Sequence, residues 1–137
     1  VAGGLSWQAP AGWREAPGSA FRAANYLVGE GSQVECYVTV LPGGAGGAEA
    51  NINRWRGQAG LAPVDAAGLA KATEQVSVAG TPATLVEAIG EKSGSMSVYH
   101  PVGDQTWFYK MSGPSDVVIV EKGAFMEFVQ SIRFPKP

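Results

Sequence analysis

The sequence has one cysteine, one histidine and no long hydrophobic run. Because Cys36 is the only thiol, an internal disulfide and a thiolate-rich metal site are both excluded. No stretch approaches the roughly 20 apolar residues that a membrane-spanning helix needs. Ten Lys and Arg residues stand against twelve Asp and Glu residues, so no strong net field attracts nucleic acid or an anionic membrane. These absences disfavour nucleic-acid binding and a disulfide scaffold.

What the sequence does contain is enough apolar material for one core. With 137 residues, 45% of them hydrophobic, the chain is predicted to fold as a single domain over 1–137. Residues 1–4 are interpreted as a tether remnant and 42–48 as a flexible glycine loop. The sequence starts at Val1 rather than Met, so either the start is trimmed, as in a processed precursor, or an upstream segment is omitted. We expect an extracytoplasmic protein, in the periplasm or on the outer face of a membrane. If a lipid anchor exists, it lies upstream of Val1 and is the only expected contact with the membrane.

Alternating apolar and polar residues predict a mainly antiparallel sheet assembled from hairpins. The clearest strand is 33–41, in which the apolar residues of one face are Val34, Cys36, Val38 and Val40. Turns rich in Gly and Pro separate the other predicted strands, which are 5–7, 21–28, 73–78, 83–89, 95–100 and 105–111. Gly113 and Pro114 are predicted to stop the last of them.

Two helices are predicted to pack on this sheet. The first covers 49–61, and the second runs from 116 to 131 with Ser115 as its N-cap. The second helix docks through an apolar stripe in its carboxyl half, and Gly123 weakens it by roughly 1 kcal/mol relative to alanine. The segment 64–71 is interpreted as a loop with at most one helical turn, capped by Asp65. The fold class is therefore α+β, a mainly antiparallel sheet with helices packed on it.

The helix at 49–61 carries the candidate binding residues. Its apolar stripe consists of Ile52, Trp55 and Ala59. The residues predicted to bind a partner or ligand are Asn51, Asn53, Arg54, Trp55, Arg56 and Gln58. Two guanidinium groups can make planar contacts to carboxylate or phosphate, and three amides both donate and accept hydrogen bonds. None of these residues is a nucleophile or part of a metal cage.

Each of these residues also has a structural interpretation. Trp55 is favoured as a core anchor over a recognition aromatic, because a half-buried ring satisfies both its area and its N–H. Arg54 can form an internal ion pair or cap strand carbonyls, which leaves Arg56 as the surface contact. The amides of Asn51, Asn53 and Gln58 can instead close the glycine loop by bonding its backbone.

Catalytic interpretations are weaker. Cys36 lies mid-strand among valines, where burial raises rather than lowers a thiol pKa, so a dyad with His100 is disfavoured. A serine hydrolase would need a Gly-x-Ser-x-Gly elbow, which the sequence lacks. Glu35 and Glu87 can meet only if the strands bring them together. A phosphate site at the glycine loop is disfavoured, because Glu49 at the start of the following helix puts a negative charge where the anion would bind. We therefore expect no catalytic residue, no metal site and no cofactor.

Four motifs resemble a family of small, largely uncharacterised bacterial exported proteins and lipoproteins, and the similarity covers most of the chain. They are Trp7-x-x-Pro10-x-Gly12-Trp13, Asn51-x-Asn53-Arg54-Trp55-Arg56-x-Gln58-x-Gly60-Leu61, Thr106-Trp107-Phe108-x-Lys110-x-x-Gly113-Pro114 and Phe125-x-x-Phe128-x-x-Ser131-Ile132-Arg133-Phe134. The order of elements and the opening Pro-x-Gly-Trp turn also resemble the photosystem II extrinsic protein PsbP and its relatives. That resemblance implies an α/β/α sandwich and an accessory or assembly role at a membrane complex, and it brings no catalytic residues.

Two functions from different classes follow. The first is a non-catalytic accessory protein whose partners are proteins, as an extrinsic subunit or assembly component of a larger membrane-associated complex. The second is a small-molecule or carboxylate-binding module that uses the Arg, Asn and Gln side chains of the helix from Asn51 to Leu61 as a polar clamp, with Trp107 or Tyr109 as an apolar wall. A broad exposed apolar patch without a cleft favours the first function. A pocket lined by Arg54, Gln58 and an aromatic residue favours the second.

Overall fold

The computed structural model describes residues 6–16, 22–29, 33–43 and 47–133. Within these ranges the chain forms seven strands and four helices. In chain order they are β1 Arg14–Glu15, β2 Arg22–Val28, β3 Val34–Pro42, α1 Ala48–Gln58, α2 Ala66–Ala72, β4 Thr73–Val78, β5 Thr81–Ile89, β6 Ser93–Val102, β7 Gln105–Pro114, α3 Ser115–Val120 and α4 Lys122–Gln130. The predicted α+β class is confirmed.

All strands join one antiparallel sheet in the order β1-β2-β3-β7-β6-β5-β4. The long hairpin of β6 and β7 lies at its centre, and β3 pairs with β7 so that Cys36 stands opposite Met111. The predicted alternation of β3 is confirmed, because Val34, Cys36 and Val38 are fully buried. Every hairpin in the sequence pattern therefore contributes to the same sheet.

One face of the sheet, called the α4 face, is covered by α3 and α4. Its core brings together large buried side chains from the central strands, from the two helices and from the segment just after α4: Met96, Trp107, Tyr109, Met111, Val118, Phe125, Phe128, Val129 and Ile132. Trp7 and Trp13 pack against this cluster from the amino-terminal segment, and Trp13 lies 5.2 Å from Phe128 between ring centroids. Both early tryptophans therefore seal the edge of the main core.

The opposite face, called the α1 face, is covered by α1 and α2. Ile52, Trp55 and Ala59 pack on sheet residues that include Phe108. The rings of Trp55 and Phe108 meet edge to face at 5.9 Å, a favourable aromatic geometry. Helices thus cover both faces of the sheet, which makes the fold the predicted α/β/α sandwich.

Several predicted boundaries are wrong. The segment after Asp65 is a seven-residue helix, α2, whose amide at Gly68 is capped by the Asp65 carboxylate as expected. Strand β7 continues through Gly113 and Pro114 rather than stopping there, because both residues pair with β6. The glycine linker is also shorter than expected, since Pro42 belongs to β3 and Ala48 to α1. Residues 1–4 and 44–46 lie outside the described ranges.

The carboxyl-terminal helix differs from the prediction as well. It is divided at Glu121 into α3 and α4, which stay hydrogen bonded across the break through Glu121 N to Val117 O at 3.0 Å and Phe125 N to Glu121 O at 2.9 Å. Ser115 is the first helical residue rather than the cap, and its hydroxyl donates to the Gly90 carbonyl at 2.7 Å. Val118 is fully buried, so both halves dock on the sheet.

Gly90 is the point where α1 approaches the end of β5. A Cβ atom built on Gly90 would lie 1.9 Å from the backbone oxygen of Ala59, just beyond α1. Gly123, in α4, has open space where its Cβ would be. The same substitution to alanine is therefore predicted to have opposite effects at these two positions.

We expect Gly90→Ala to lower the free energy of unfolding by at least about 2 kcal/mol, because the added methyl group displaces backbone. Gly123→Ala is expected to raise it by up to about 1 kcal/mol through helix propensity. Urea unfolding followed by circular dichroism measures both. A neutral Gly90→Ala variant would contradict the close approach of α1 to β5.

Candidate functional site

Helix α1 begins without a side-chain cap. Gly47 precedes it with φ at 91°, a conformation that favours glycine. Asn51 is buried, and its Nδ2 donates to the Gly47 carbonyl at 2.8 Å. Asn51 therefore fixes the end of the glycine segment to the first turn of the helix, as the structural interpretation of this residue proposed.

The residues on the outer side of α1 hold the segment that follows it. The Asn53 amide bonds both backbone groups of Val64, with Nδ2 donating to the carbonyl at 3.0 Å and Oδ1 accepting from the amide at 2.7 Å. Arg56 donates from Nε to the Ala62 carbonyl at 2.8 Å. Asn53 therefore holds the segment between α1 and α2, and not the glycine loop as its structural interpretation proposed. Arg56 makes the bond to a backbone carbonyl that was expected of Arg54.

Arg54 and Gln58 lie on the other side of α1, where both are exposed. They border a cleft of about 220 Å³ between the helix and strands β3 and β7. The cleft, called the α1 cleft, is lined by Tyr37, Thr39, Leu41, Arg54, Trp55, Gln58, Phe108 and Lys110. Three of the six predicted binding residues are thus brought together here.

Lys110 supplies a second cation at the floor of the α1 cleft. Only 7% of its surface is exposed. Its Nζ donates to Gln58 Oε1 at 3.0 Å and lies 5.4 Å from the centroid of the Trp55 ring, within the range of a cation–π contact. The ammonium group is therefore held at a defined position by the helix above it.

Sequence reasoning did not assign Lys110 or Tyr37 to the site. Strand alternation places Lys110 with Phe108 on the face opposite Trp107 and Tyr109. The predicted apolar wall of Trp107 or Tyr109 is therefore wrong, because both rings are buried in the core of the α4 face, and Phe108 lines the cleft instead. The register then pairs Lys110 with Tyr37. The alternation could be read from the sequence, but the pairing of β3 with β7 and the position of α1 could not.

A second cavity of about 250 Å³ lies at the carboxyl end of α1. Its helical wall is formed by Trp55, Gln58 and Ala59, and the sheet contributes small residues, namely Ser93, Gly94, Ser95, Ser112 and Gly113. Trp55 and Gln58 line both this cavity and the α1 cleft. These two side chains therefore separate two neighbouring spaces on the same face of the sheet.

The structure does not bring the candidate catalytic residues together. Burial raises the pKa of the Cys36 thiol far above its usual range. His100 pairs with Trp107, which stands opposite Val40, four residues along β3 from Cys36. Glu35 pairs with Ser112 on the α1 face, whereas Glu87 lies on the α4 face and forms an ion pair with Lys122 at 2.7 Å. Neither the Cys-His dyad nor the glutamate pair is therefore assembled.

His100 belongs to a buried polar network on the α4 face. Its Nε2 lies 2.7 Å from the Thr81 hydroxyl, and its Nδ1 lies 2.7 Å from the Tyr109 hydroxyl. Burial lowers the pKa of His100 below its ordinary value. The neutral ring, which has one donor and one acceptor nitrogen, suits two hydroxyl partners. His100 is thereby explained as a core histidine.

Comparison with solved structures shows the same fold at low sequence identity. A crystal structure from Bacteroides thetaiotaomicron has a TM-score of 0.61 at 10% identity and covers 97% of this chain. This chain spans only 46% of that protein's chain. No protein-family model matches the sequence, and no curated protein matches it significantly.

Two further structures match over most of both chains. The solution structure of the cyanobacterial PsbP protein CyanoP from Synechocystis has a TM-score of 0.60 at 10% identity, covering 96% of this chain and 86% of that one. LpqN of Mycobacterium tuberculosis, involved in cell envelope biogenesis, has a TM-score of 0.58 at 11% identity, covering 96% and 83%. The expected PsbP-like fold is confirmed, whereas the family with the Asn51–Leu61 motif stays a prediction.

The double hydrogen bond of Asn53 generates a stability prediction. We expect Asn53→Ala to lower the free energy of unfolding by about 1–2 kcal/mol, because both bonds to Val64 are lost. Arg54→Ala, at the next position of the same helix, is the control and should change it by less than about 0.5 kcal/mol. Equal effects of the two variants in urea unfolding would argue against the assigned role of Asn53.

The burial of His100 generates a pH prediction. The pKa of His100 is lower in the folded protein than the ordinary 6.5. As the pH falls, His100 therefore becomes protonated in the unfolded chain before it does so in the folded protein. Stability from this residue is therefore fully present above about pH 6.5 and declines as the pH falls below it. We expect His100→Gln to remove this part of the decline when urea unfolding is compared near pH 7.5 and near pH 5.5. If the free energy of unfolding of His100→Gln depended on pH as strongly as that of the unmodified protein, the prediction would be refuted.

Proposed function

We propose that this protein is a non-catalytic accessory protein that binds a protein partner through the α1 cleft. The observation that carries the proposal is the composition of that cleft, where Arg54 and Lys110 stand beside Tyr37, Trp55 and Phe108. Aromatic residues and arginine are the side chains enriched in protein interfaces. No cofactor is needed for this role.

The sizes of the two spaces favour a protein partner over a free ligand. The α1 cleft measures about 220 Å³ and the neighbouring cavity about 250 Å³. Sites for drug-sized small molecules usually measure about 300–1,000 Å³. A space below that range fits one inserted side chain or chain end, with the rest of the partner lying across the exposed surface of α1.

The distribution of exposed apolar residues refines how such a partner would bind. Among the residues that the structure describes, the exposed large apolar side chains are Leu41, Ile119 and Val120. Leu41 lines the α1 cleft, whereas the other two lie on α3 at the opposite face. By the criterion set from the sequence, the lack of a broad apolar patch among the described residues counts against the accessory role. The accessory role is supported instead by the small volume of the mixed aromatic and cationic cleft, which has Leu41 in its wall.

The similarity of this fold to those of LpqN and CyanoP supports the proposed extracytoplasmic location. LpqN is involved in cell envelope biogenesis, and CyanoP is the cyanobacterial form of PsbP. We infer an extracytoplasmic location and a role beside a membrane-associated complex for this chain as well. Across the described ranges, no helix is both long enough and apolar enough to cross a bilayer.

A second candidate function is a small-molecule or carboxylate-binding module. It is favoured by the same cleft, because Arg54, Gln58 and an aromatic wall meet there as this function requires. The two candidates differ in what occupies the cleft in the cell. A partner protein is expected in the first case, and a small ligand that stays bound through purification in the second.

Site-specific photo-crosslinking in the native cells tests the proposed function. A photoreactive amino acid is placed at Arg54, which is exposed at the cleft, and at Glu127, which is exposed on the opposite face of the sandwich. We expect one discrete protein adduct from position 54 that position 127 does not give. The absence of an adduct, or equal adducts from both positions, would contradict the proposal. A small ligand seen by native mass spectrometry of the unmodified protein would favour the second candidate.

A further inference from the structure

The α1 cleft has a charge character that identifies the chemistry of its occupant. Two of its eight lining residues, Arg54 and Lys110, are cations, and none of the eight is acidic. Arg54 is exposed on α1, whereas Lys110 is buried in β7. The two cations therefore stand at different depths of one opening, which suits an anionic group that enters from solvent.

Arg54 is the group that can respond to an incoming anion. Its guanidinium is exposed and offers a planar set of donors that matches a carboxylate. The Lys110 ammonium is already oriented by Gln58 and by the Trp55 ring. Glu35 lies on the same face of β3, two residues before Tyr37, and is not one of the residues that line the cleft.

The lining of the cleft distinguishes between kinds of anion. Its helical residues, Arg54, Trp55 and Gln58, belong to the carboxyl half of α1. The helix dipole is negative at that end, so the attraction for an anion comes from the two cations and not from the helix terminus. The rest of the lining includes Leu41 and three aromatic rings, which suits a carboxylate carried on an apolar stem.

We infer that the α1 cleft accepts a carboxylate from the protein partner, supplied by an acidic side chain or by a carboxyl terminus. Arg54 meets the carboxylate at the opening, Lys110 attracts it from below, and Tyr37 and Phe108 contact its stem. This inference rests on the proposed function and gives the chemistry of its partner.

Fragment titrations with the purified ¹⁵N-labelled protein test the inference. The probes are N-acetyl-leucine for a chain terminus, N-acetyl-glutamate α-amide for an acidic side chain, N-acetyl-leucine amide as the neutral control and inorganic phosphate. We expect a carboxylate probe to shift the indole N–H resonance of Trp55 and the backbone amides of Thr39 and Lys110. The more effective of the two carboxylate probes identifies the source of the group.

Two matched arginine variants show whether the cleft is responsible. Arg54→Gln is expected to weaken binding of the carboxylate probe by about three- to tenfold, as for an exposed charge-assisted contact. Arg56→Gln removes the same charge from the same helix, two residues along, and should leave the affinity within about twofold, because surface charges away from a site contribute little. Both variants keep Lys110, whose burial makes its own replacement a risk to folding.

Three outcomes would overturn the inference. They are equal shifts from N-acetyl-leucine and its amide, saturation by phosphate alone, and equal weakening by the two arginine variants. Each is independent of the proposed function, since a partner adduct at position 54 can form without any carboxylate binding. A failed titration beside a positive crosslink would therefore remove the carboxylate and keep the accessory role.

Discussion

The burial of both faces of the sheet is the constraint on which the rest of the structure depends. The central strands have no side turned to water, so successive residues of β7 from Thr106 to Met111 are all buried. Trp107, Tyr109 and Met111 join the main core beneath α4, and Phe108 supports α1 on the other side. Lys110 is on the α1 face with Phe108, where the amide of Gln58 and the ring of Trp55 contact its ammonium group. The cationic floor of the cleft is thus a consequence of how the sheet is covered.

Local patterns were sufficient to predict most strands and the existence of α1. The alternation of Val34, Cys36 and Val38 marks β3, because a strand with one face in a core repeats every two residues. Helix α2 was predicted as at most one turn, and its length was underestimated for a physical reason: none of its residues is buried, so it has no apolar stripe to detect. Its capping residue, Asp65, was the only local sign of it.

Features decided by distant neighbours could not be predicted from the sequence. Gly113 suggests the end of a strand, yet it pairs with Gly94, and a Cβ there would lie 2.8 Å from the Gln33 carbonyl oxygen. Ser115 is of a residue type that often caps helices, but its hydroxyl donates to the Gly90 carbonyl instead. The site follows the same rule. Arg54, Trp55 and Gln58 were predicted as binding residues and line the cleft. The docking of α1, which places Arg54 there and lets Arg56 bond the Ala62 carbonyl, was not evident from the sequence.

The order of strands in the sheet also has a consequence for how the cleft is assembled. Strands β4 to β7 follow one another both along the chain and across the sheet, whereas β3 reaches β7 only by a contact between residues distant in sequence. Such contacts close late in folding, because the entropy of a long loop must be overcome first. The α1 cleft lies across the boundary between β3 and β7. Tyr37, Thr39 and Leu41 line it on β3, and Phe108 and Lys110 line it on β7. Under the proposed function, a partner that binds in the cleft would engage only chains in which the two parts of the sheet have joined, and by mass action it would hold them joined.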